Sequence, residues 1–278
     1  MSNSKVAYLV GMCLLLSGCN TVFDEESLEK EIPVPIRFSI SESNLSTRAI
    51  VTTIDATNVS NVGIYGVQEG STSGQYTWTA SPFAANVVPS GISLGTLSFS
   101  PKMYYPTGGK KVAFYAYYPR TTNTSSTSNS YITPPGNGTA PVYNFSIADQ
   151  QDVMHAIATP VGSNSGAQVA FQYNHKLSQI IINTSILSGV LQSMKIMSVP
   201  SKGSMNLATG NITWNSSTTT NLSVNVPLLG GLSDPVLVPA NVTTYQLQVT
   251  LLVLPTTYYL TPSNGVFSPG VVYTVTLK

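Results

Sequence analysis

The segment from Ile32 to Ile40 reads IPVPIRFSI, and its apolar residues recur at every second position. This period of two places one apolar row on a single face of a β-strand. The row consists of Ile32, Val34, Ile36, Phe38 and Ile40. Pro33 and Pro35 stand between these residues and cannot donate main-chain hydrogen bonds, which favours the edge of a sheet over its centre. We therefore expect an edge strand here.

A processing signal precedes this strand. Lys5 is followed by an apolar run from Val6 to Leu16, and a Leu-Ser-Gly-Cys sequence ends at Cys19. This is the pattern of a lipoprotein signal peptide. We expect residues 1–18 to be removed and Cys19 to carry lipid, which holds the chain on a membrane without a spanning helix. An ordinary secretory signal with a chance cysteine is the alternative.

A second signal follows the strand. Arg48 stands in the polar sequence Ser-Thr-Arg-Ala, which offers a basic site to a protease, and a cut before Ala49 would release residues 32–48. The main hypothesis is therefore a removable edge strand whose place a partner's strand takes. Six of the eleven acidic residues precede Arg48, so residues 19–31 are expected to form an acidic tether; an export signal is a compatible alternative.

Composition excludes several classes of protein. Only 8% of the residues are charged and the net charge is +1, whereas nucleic-acid binding calls for a basic field. Cys13 leaves with the signal and Cys19 carries lipid, so the folded body has no thiol for a disulfide or a thiolate metal site. We expect no cofactor.

The remaining chain predicts an all-β fold. Short apolar runs alternate with Gly, Pro, Ser and Asn turns, without sustained helical period, which is typical of a β-sandwich in each half. Lys111 to Tyr118 is apolar on both faces, so both are expected to be covered. The Gly-Ser-Asn-Ser-Gly run at 162–166 predicts a boundary between an N-terminal domain, 32–165, and a C-terminal domain, 166–278, whose first strand is 168–173.

Residues 120–141 form the longest tract without a strand pattern. The tract is dominated by Thr, Asn, Ser, Pro and Gly, and Tyr131 and Ile132 are its bulky residues. A loop of this length is usually functional or disordered. Two readings stay open: a mobile loop, or a contact site for a glycan or a protein.

Candidate catalytic and metal sites are weak. Residues 91–95, Gly-Ile-Ser-Leu-Gly, match a nucleophile-elbow pattern, but strand-like residues follow where that motif needs a helix. His155 is near Asp149 and Asp152 in sequence, yet no second cluster completes a site. His175 is expected to bond to backbone at a strand entry. We assign no catalytic residue and no metal ligand, and we expect the chain not to be an enzyme.

Several motifs together resemble the fimbrillin family of Bacteroidetes, the lipoprotein subunits of the type V pilus. They are the lipobox at Cys19, the Phe38 strand followed by Thr47-Arg48-Ala49, Val62-Gly63-Ile64-Tyr65, Tyr104-Tyr105-Pro106, residues 112–119, Asp152-Val153-Met154, residues 171–178 and residues 269–277. This resemblance implies two tandem transthyretin-like β-sandwich domains and delivery to the cell surface as an outer-membrane lipoprotein. It also implies cleavage after Arg48 by a trypsin-like protease and polymerisation into a fimbria with other pilin subunits by strand exchange.

The resemblance also implies a donor strand. Family members that build the shaft are expected to contribute a C-terminal strand, and this chain stops at Lys278 on what reads as an in-fold strand. Its apolar row, Val271, Tyr273, Val275 and Leu277, is the candidate donor. Shaft, tip and anchor roles stay open. The alternative function is a monomeric surface lipoprotein that binds a host or bacterial glycan or protein through loop 120–141.

Overall fold

The computed structural model describes residues 33–42, 54–184, 191–227, 230–252 and 254–277. The signal peptide, the tether, Cys19, Ile32, Arg48 and Ala49 lie outside these residues. Within them, regular structure is β-strand apart from single-turn 3-10 helices, which confirms the all-β prediction. The strands are β1 Phe38–Glu42, β2 Gly63–Gln68, β3 Ala84–Val87, β4 Gly91–Ser93, β5 Thr96–Ser98, β6 Val112–Tyr118, β7 Tyr131–Thr133, β8 Val142–Ser146, β9 Met154–Val161, β10 Val169–His175, β11 Leu177–Asn183, β12 Leu191–Asn206, β13 Ile212–Val224, β14 Val236–Pro239, β15 Tyr245–Leu251, β16 Leu254–Leu260 and β17 Val272–Thr276.

The strands form three hydrogen-bonded sheets. An eight-stranded sheet has the order β3-β2-β6-β9-β10-β1-β5-β4, and a three-stranded sheet has the order β14-β11-β17. A third sheet runs β16-β15-β12-β8-β7, with β13 paired along β12. Most neighbours are antiparallel. The two parallel pairs are β1 with β10 and β11 with β17.

Two hydrophobic cores fill the space between the sheets. The largest fully buried side chains of the first core are Phe38, Ile64, Phe114, Met154, Phe171 and Tyr173. Those of the second core are Tyr117, Tyr143, Ile147, Ile180, Ile182 and Phe267. The chain from Pro33 onward forms one compact unit that contains both cores.

Strand β6 separates the two cores. Phe114 and Ala116 belong to the first core, whereas Tyr117 on the opposite face belongs to the second. Because successive side chains of a strand point to opposite faces, an apolar row on each face requires a core on each side. The prediction that both faces of 111–118 are covered is confirmed.

The last strand of the eight-stranded sheet, β10, follows the predicted boundary. Val169–His175, which we expected to open the second domain, pairs with β1 and β9 in the eight-stranded sheet. The next strand, β11, belongs to the three-stranded sheet, and Lys176 is the single residue between them. The 162–166 turn joins β9 and β10, which pair with each other in the eight-stranded sheet and place alternate apolar residues in the first core.

The 120–141 tract contains a strand that its composition hides. Tyr131–Thr133 forms β7, which pairs with β8, and the Ile132 side chain is buried in the second core. The prediction of a tract without strand structure is therefore wrong at its centre. Burial of Ile132 and pairing with β8 hold the centre of the tract in place.

No helix in the part of the chain that the structure describes is long and apolar enough to cross a membrane.

Candidate functional site

Strand β1 has a neighbour on each side. Phe38 to Glu42 pairs in parallel with residues 169–173 of β10, and Phe38 and Ser39 pair antiparallel with Leu97 and Thr96 of β5. The predicted edge position is therefore wrong. The prolines that suggested it, Pro33 and Pro35, lie before β1 and leave its ladder intact.

Main-chain hydrogen bonds hold the segment before β1 as well. The Ile36 N–H donates to the Met103 carbonyl at 2.9 Å, and the Tyr105 N–H donates to the Val34 carbonyl at 3.0 Å. On the other side, the Val169 N–H donates to the Arg37 carbonyl at 2.8 Å. Main-chain bonds thus extend along one border from Val34 to Ile40 and along the other from Arg37 to Glu42.

The apolar row of this segment is shorter than predicted. Ile36 and Phe38 are buried, with 7% and 0% exposure, and Ile40 is partly buried against the same core. Val34 is 37% exposed and does not belong to the buried row. Ile32 lies outside the described residues. The period of two thus predicts the correct face, and burial begins at Ile36.

Phe38 is the centre of an aromatic cluster. Its ring centroid lies 4.9 Å from that of Phe99, 5.0 Å from that of Phe114 in an edge arrangement, and 6.0 Å from that of Phe171. Edge and offset contacts of this kind add about 0.5–1.5 kcal/mol per pair beyond area burial. Phe38 is therefore the side chain that binds β1 most strongly to the first core.

The β4–β5 hairpin closes the outer side of β1. It ends the eight-stranded sheet, and its tip residue Leu94 is fully exposed. The Gly95 carbonyl accepts from the Ile40 N–H at 2.8 Å. This hairpin contains the Gly-Ile-Ser-Leu-Gly match, so that match is a strand–turn–strand and not a nucleophile elbow. Beside it, an open groove of about 270 Å³ runs between Arg37, Phe99 and Lys102.

The candidate donor strand β17 lies at the edge of the three-stranded sheet. Residues 272–276 pair in parallel with 179–183 of β11 and have no second strand neighbour among the described residues. Val271 is 40% exposed, Tyr273 and Val275 are half-buried, and Leu277 is buried. The predicted row thus faces the second core unevenly, and its border away from β11 is open.

The two histidines lie apart from this segment, in buried structural positions. His175 Nδ1 donates to the Asp152 carboxylate at 2.7 Å, and both side chains are nearly inaccessible. We expected a backbone partner for His175. The carboxylate was missed because Asp152 lies 23 residues earlier and reaches His175 only through the β9–β10 pairing.

His155 does not form a pair with Asp149 or Asp152. Its Nε2 donates to the Leu207 carbonyl at 2.9 Å, and burial lowers the pKa of His155 to about 4. The imidazole is therefore neutral at neutral pH. Among the residues that the structure describes, no group of three or more His, Cys, Asp or Glu side chains is arranged to hold a metal ion.

Comparison with known sequences gives one family. Residues 47–278 match the model of a family described as fimbrillin-like. The match begins one residue before Arg48 and covers most of the chain. The chain has no match among curated proteins.

Comparison with solved structures gives proteins of the same fold. A candidate cell adhesion protein from Bacteroides uniformis has a TM-score of 0.53 at 22% identity, over 88% of this chain and 94% of that chain. A fimbrial protein from Bacteroides vulgatus has a TM-score of 0.56 at 14% identity, over 87% and 95%. A candidate cell adhesion protein from Bacteroides ovatus has a TM-score of 0.56 at 19% identity, over 88% and 92%. At these identities the likeness concerns the fold.

Proposed function

Because this chain belongs to the fimbrillin-like family, we propose that it is a structural and adhesive subunit of a type V-like fimbria at the cell surface. It is exported as an outer-membrane lipoprotein through Cys19, matured by cleavage between Arg48 and Ala49, and assembled with other pilin subunits by strand exchange. The family is one of structural proteins, in agreement with the prediction that the chain is not an enzyme.

One observation carries the strand-exchange step: the buried row of β1 belongs to a segment that precedes the proposed cleavage site. Ile36 and Phe38 fill pockets of the first core, and the pairing of β1 with β5 is only two residues long. Removal of residues up to Arg48 would uncover these pockets and one side of β10. The resulting groove would be apolar, with free main-chain groups along β10, which is the kind of surface that accepts an added strand.

The burial free energy of the β1 side chains favours replacement of β1 by another strand over a groove that stays open. Full burial of an Ile or Phe side chain is worth about 1.5–3 kcal/mol, so Ile36 and Phe38 together contribute about 3–6 kcal/mol. Ile40 adds a smaller amount because it is only partly buried. An incoming strand with apolar residues at the same spacing would recover this energy.

Strand β17 has that spacing. Tyr273, Val275 and Leu277 recur at i, i+2 and i+4, as Ile36, Phe38 and Ile40 do. Its present pairing with β11 is parallel, like that of β1 with β10. Among the described residues, β11 is the only strand that pairs with β17. Fewer hydrogen bonds therefore oppose the release of β17 than would hold a central strand.

The proposal includes two tandem transthyretin-like domains, one around each core. Strand β10 is the last strand of the eight-stranded sheet, which favours a boundary at Lys176 over one at 165/166, and β7 and β8 are the earlier strands that join the third sheet. The alternative, a monomeric lipoprotein that binds ligand through loop 120–141, has less support. Ile132 of that loop is buried, which leaves the half-buried Tyr131 as its bulky surface residue.

Limited trypsin digestion of the full chain tests the maturation step. We expect a product that starts at Ala49, followed by higher oligomers that resist dissociation. Arg48→Ala should abolish both the cut and the oligomers. Arg37→Ala is the matched control, because Arg37 is exposed in the same segment but belongs to a bonded backbone. A wild-type product that starts at Ala49 and stays monomeric would contradict assembly by strand exchange.

Charge substitution in β17 tests the donor. Val275→Asp places a carboxylate in the apolar row and should prevent oligomer formation after cleavage, while the cut itself proceeds. Thr274→Asp, on the exposed opposite face of the strand, should leave assembly intact. Equal assembly by both variants would eliminate β17 as the donor.

A further inference from the structure

A polar cavity lies away from β1, where the chain crosses from one core to the other. Its volume is about 540 Å³. The residues that line it come from the β10–β11 link, the β12–β13 turn, strand β13 and the segments before β17 and after β14. Its most distinctive side chains are Lys176, Asn211, Trp214 and Asn241.

Lys176 supplies the charge of this cavity. It is the link between β10 and β11, and its N–H donates to the Val153 carbonyl at 2.8 Å, which fixes its backbone. The side chain is half-buried, and burial lowers the pKa of Lys176. In the described part of the chain, no Asp or Glu carboxylate lies within ion-pair distance of the Lys176 ammonium. Partial removal of a cation from water costs free energy, and a bound anion can offset this cost.

His155 and Gly210 lie beside the ammonium. His155 Nε2 carries its proton, since it donates to the Leu207 carbonyl, so Nδ1 presents a lone pair. A Cβ on Gly210 would lie 2.4 Å from that Nδ1 and 2.8 Å from Lys176 Nζ. Lys176 Nζ and His155 Nδ1 therefore lie at most about 5.2 Å apart. The backbone beside them, at Gly210, has a φ of +70°, which favours glycine. The neutral imidazole adds no second positive charge.

The other walls match a sugar ring. Asn211 and Asn241 are exposed at the cavity, and each amide can donate and accept at once, as neighbouring sugar hydroxyls require. Trp214 is half-buried, with its ring edge-to-face on Phe145 at 5.5 Å. A supported indole offers a flat apolar surface to the C–H face of a pyranose. A peptide carboxylate would use the ammonium but leave these groups without a role.

We propose that this cavity binds a carboxylate-bearing sugar, a hexuronic acid residue of a glycan, with Lys176 on the carboxylate, Asn211 and Asn241 on hydroxyls and Trp214 against the ring. The proposal does not depend on strand exchange, since no residue of β1 lines the cavity. It also assigns glycan binding to a surface other than loop 120–141.

Titration of the full chain in mild detergent with glucuronate and with glucose tests the proposal. The two sugars share a ring and differ at the carboxylate. Protein-observed NMR or calorimetry should show glucuronate binding about tenfold more tightly than glucose. Equal affinities, or no binding of glucuronate up to tens of millimolar, would overturn the proposal.

Variants separate the roles of the residues. Lys176→Gln should lower glucuronate affinity about tenfold and leave glucose unaffected, whereas Lys176→Arg should keep the preference. Lys195→Gln removes an exposed lysine on β12 and is the matched control. Thermal denaturation of each variant verifies folding, and unchanged glucuronate affinity in folded Lys176→Gln would refute the assignment. An acetylated tetraglutamate peptide that displaces glucuronate and binds tenfold more tightly would assign the site to acidic peptide instead.

Discussion

Phe38→Ala measures how much β1 contributes to the folded precursor. The Phe38 side chain is fully buried and touches three other rings. Truncation of a core Phe to Ala typically costs 3–5 kcal/mol, because apolar burial is lost and a cavity is left. We expect about 4 kcal/mol here. Val34→Ala, in the same segment at an exposed position, should cost less than about 1 kcal/mol.

Urea unfolding of the full-length wild type and both variants, followed by tyrosine and tryptophan fluorescence, gives the free energies of unfolding. Trypsin then supplies an internal control, since the product that starts at Ala49 lacks position 38. Cleaved chains with and without Phe38→Ala, both carrying Val275→Asp to block assembly, should be identical in stability, and both should be less stable than the uncut Val275→Asp chain. A cost for Phe38→Ala within 1 kcal/mol of that for Val34→Ala would refute the role given to this side chain.

Two further predictions concern other parts of the chain. Burial lowers the pKa of His155 from 6.5 to about 4, so between these pH values the unfolded chain binds a proton at His155 and the folded chain does not. The free energy of unfolding should therefore fall by about 1.4 kcal/mol per pH unit as the pH decreases from 6.5 towards 4. Urea unfolding of His155→Gln at several pH values should lack this slope, and an unchanged slope would assign it to other groups. Gly63→Ala should destabilise the fold by about 1–3 kcal/mol, because the added Cβ would lie 2.3 Å from the Tyr117 ring. At Gly70 the nearest atom to an added Cβ is 3.6 Å away, so Gly70→Ala should change the melting temperature little. Equal shifts of the melting temperature in the two variants would contradict the packing around Gly63.

Periodicity predicted the parts of this fold that depend on neighbouring residues in sequence. The alternation in 32–40 identifies Ile36 and Phe38 as a buried row, and the two apolar faces of β6 predict a core on each side. Both follow from the two-residue repeat of a strand. The family resemblance is confirmed over residues 47–278.

Partners distant in sequence were not predictable in this way. Strand β5, which pairs with β1, is only three residues long and lies more than 50 residues later. No local sequence pattern therefore predicts this pairing. The same holds for the Asp152 carboxylate on His175 and for the cavity around Lys176, which depends on segments more than 90 residues apart. Sequence alternation gives the face of a strand, while its neighbours are set by tertiary contacts.

The parallel pairing of β1 with β10 has a consequence for the geometry of a fibre. A strand that repeats the pairing of β1 runs in the same direction as β10 and places an apolar residue opposite Val169, because a one-residue slip would turn its apolar row towards solvent. If β17 of one copy fills this groove in the next copy, each copy uses two different surfaces, which is a head-to-tail contact. A filament built this way has polarity: its two ends differ, and it grows by adding copies in one orientation.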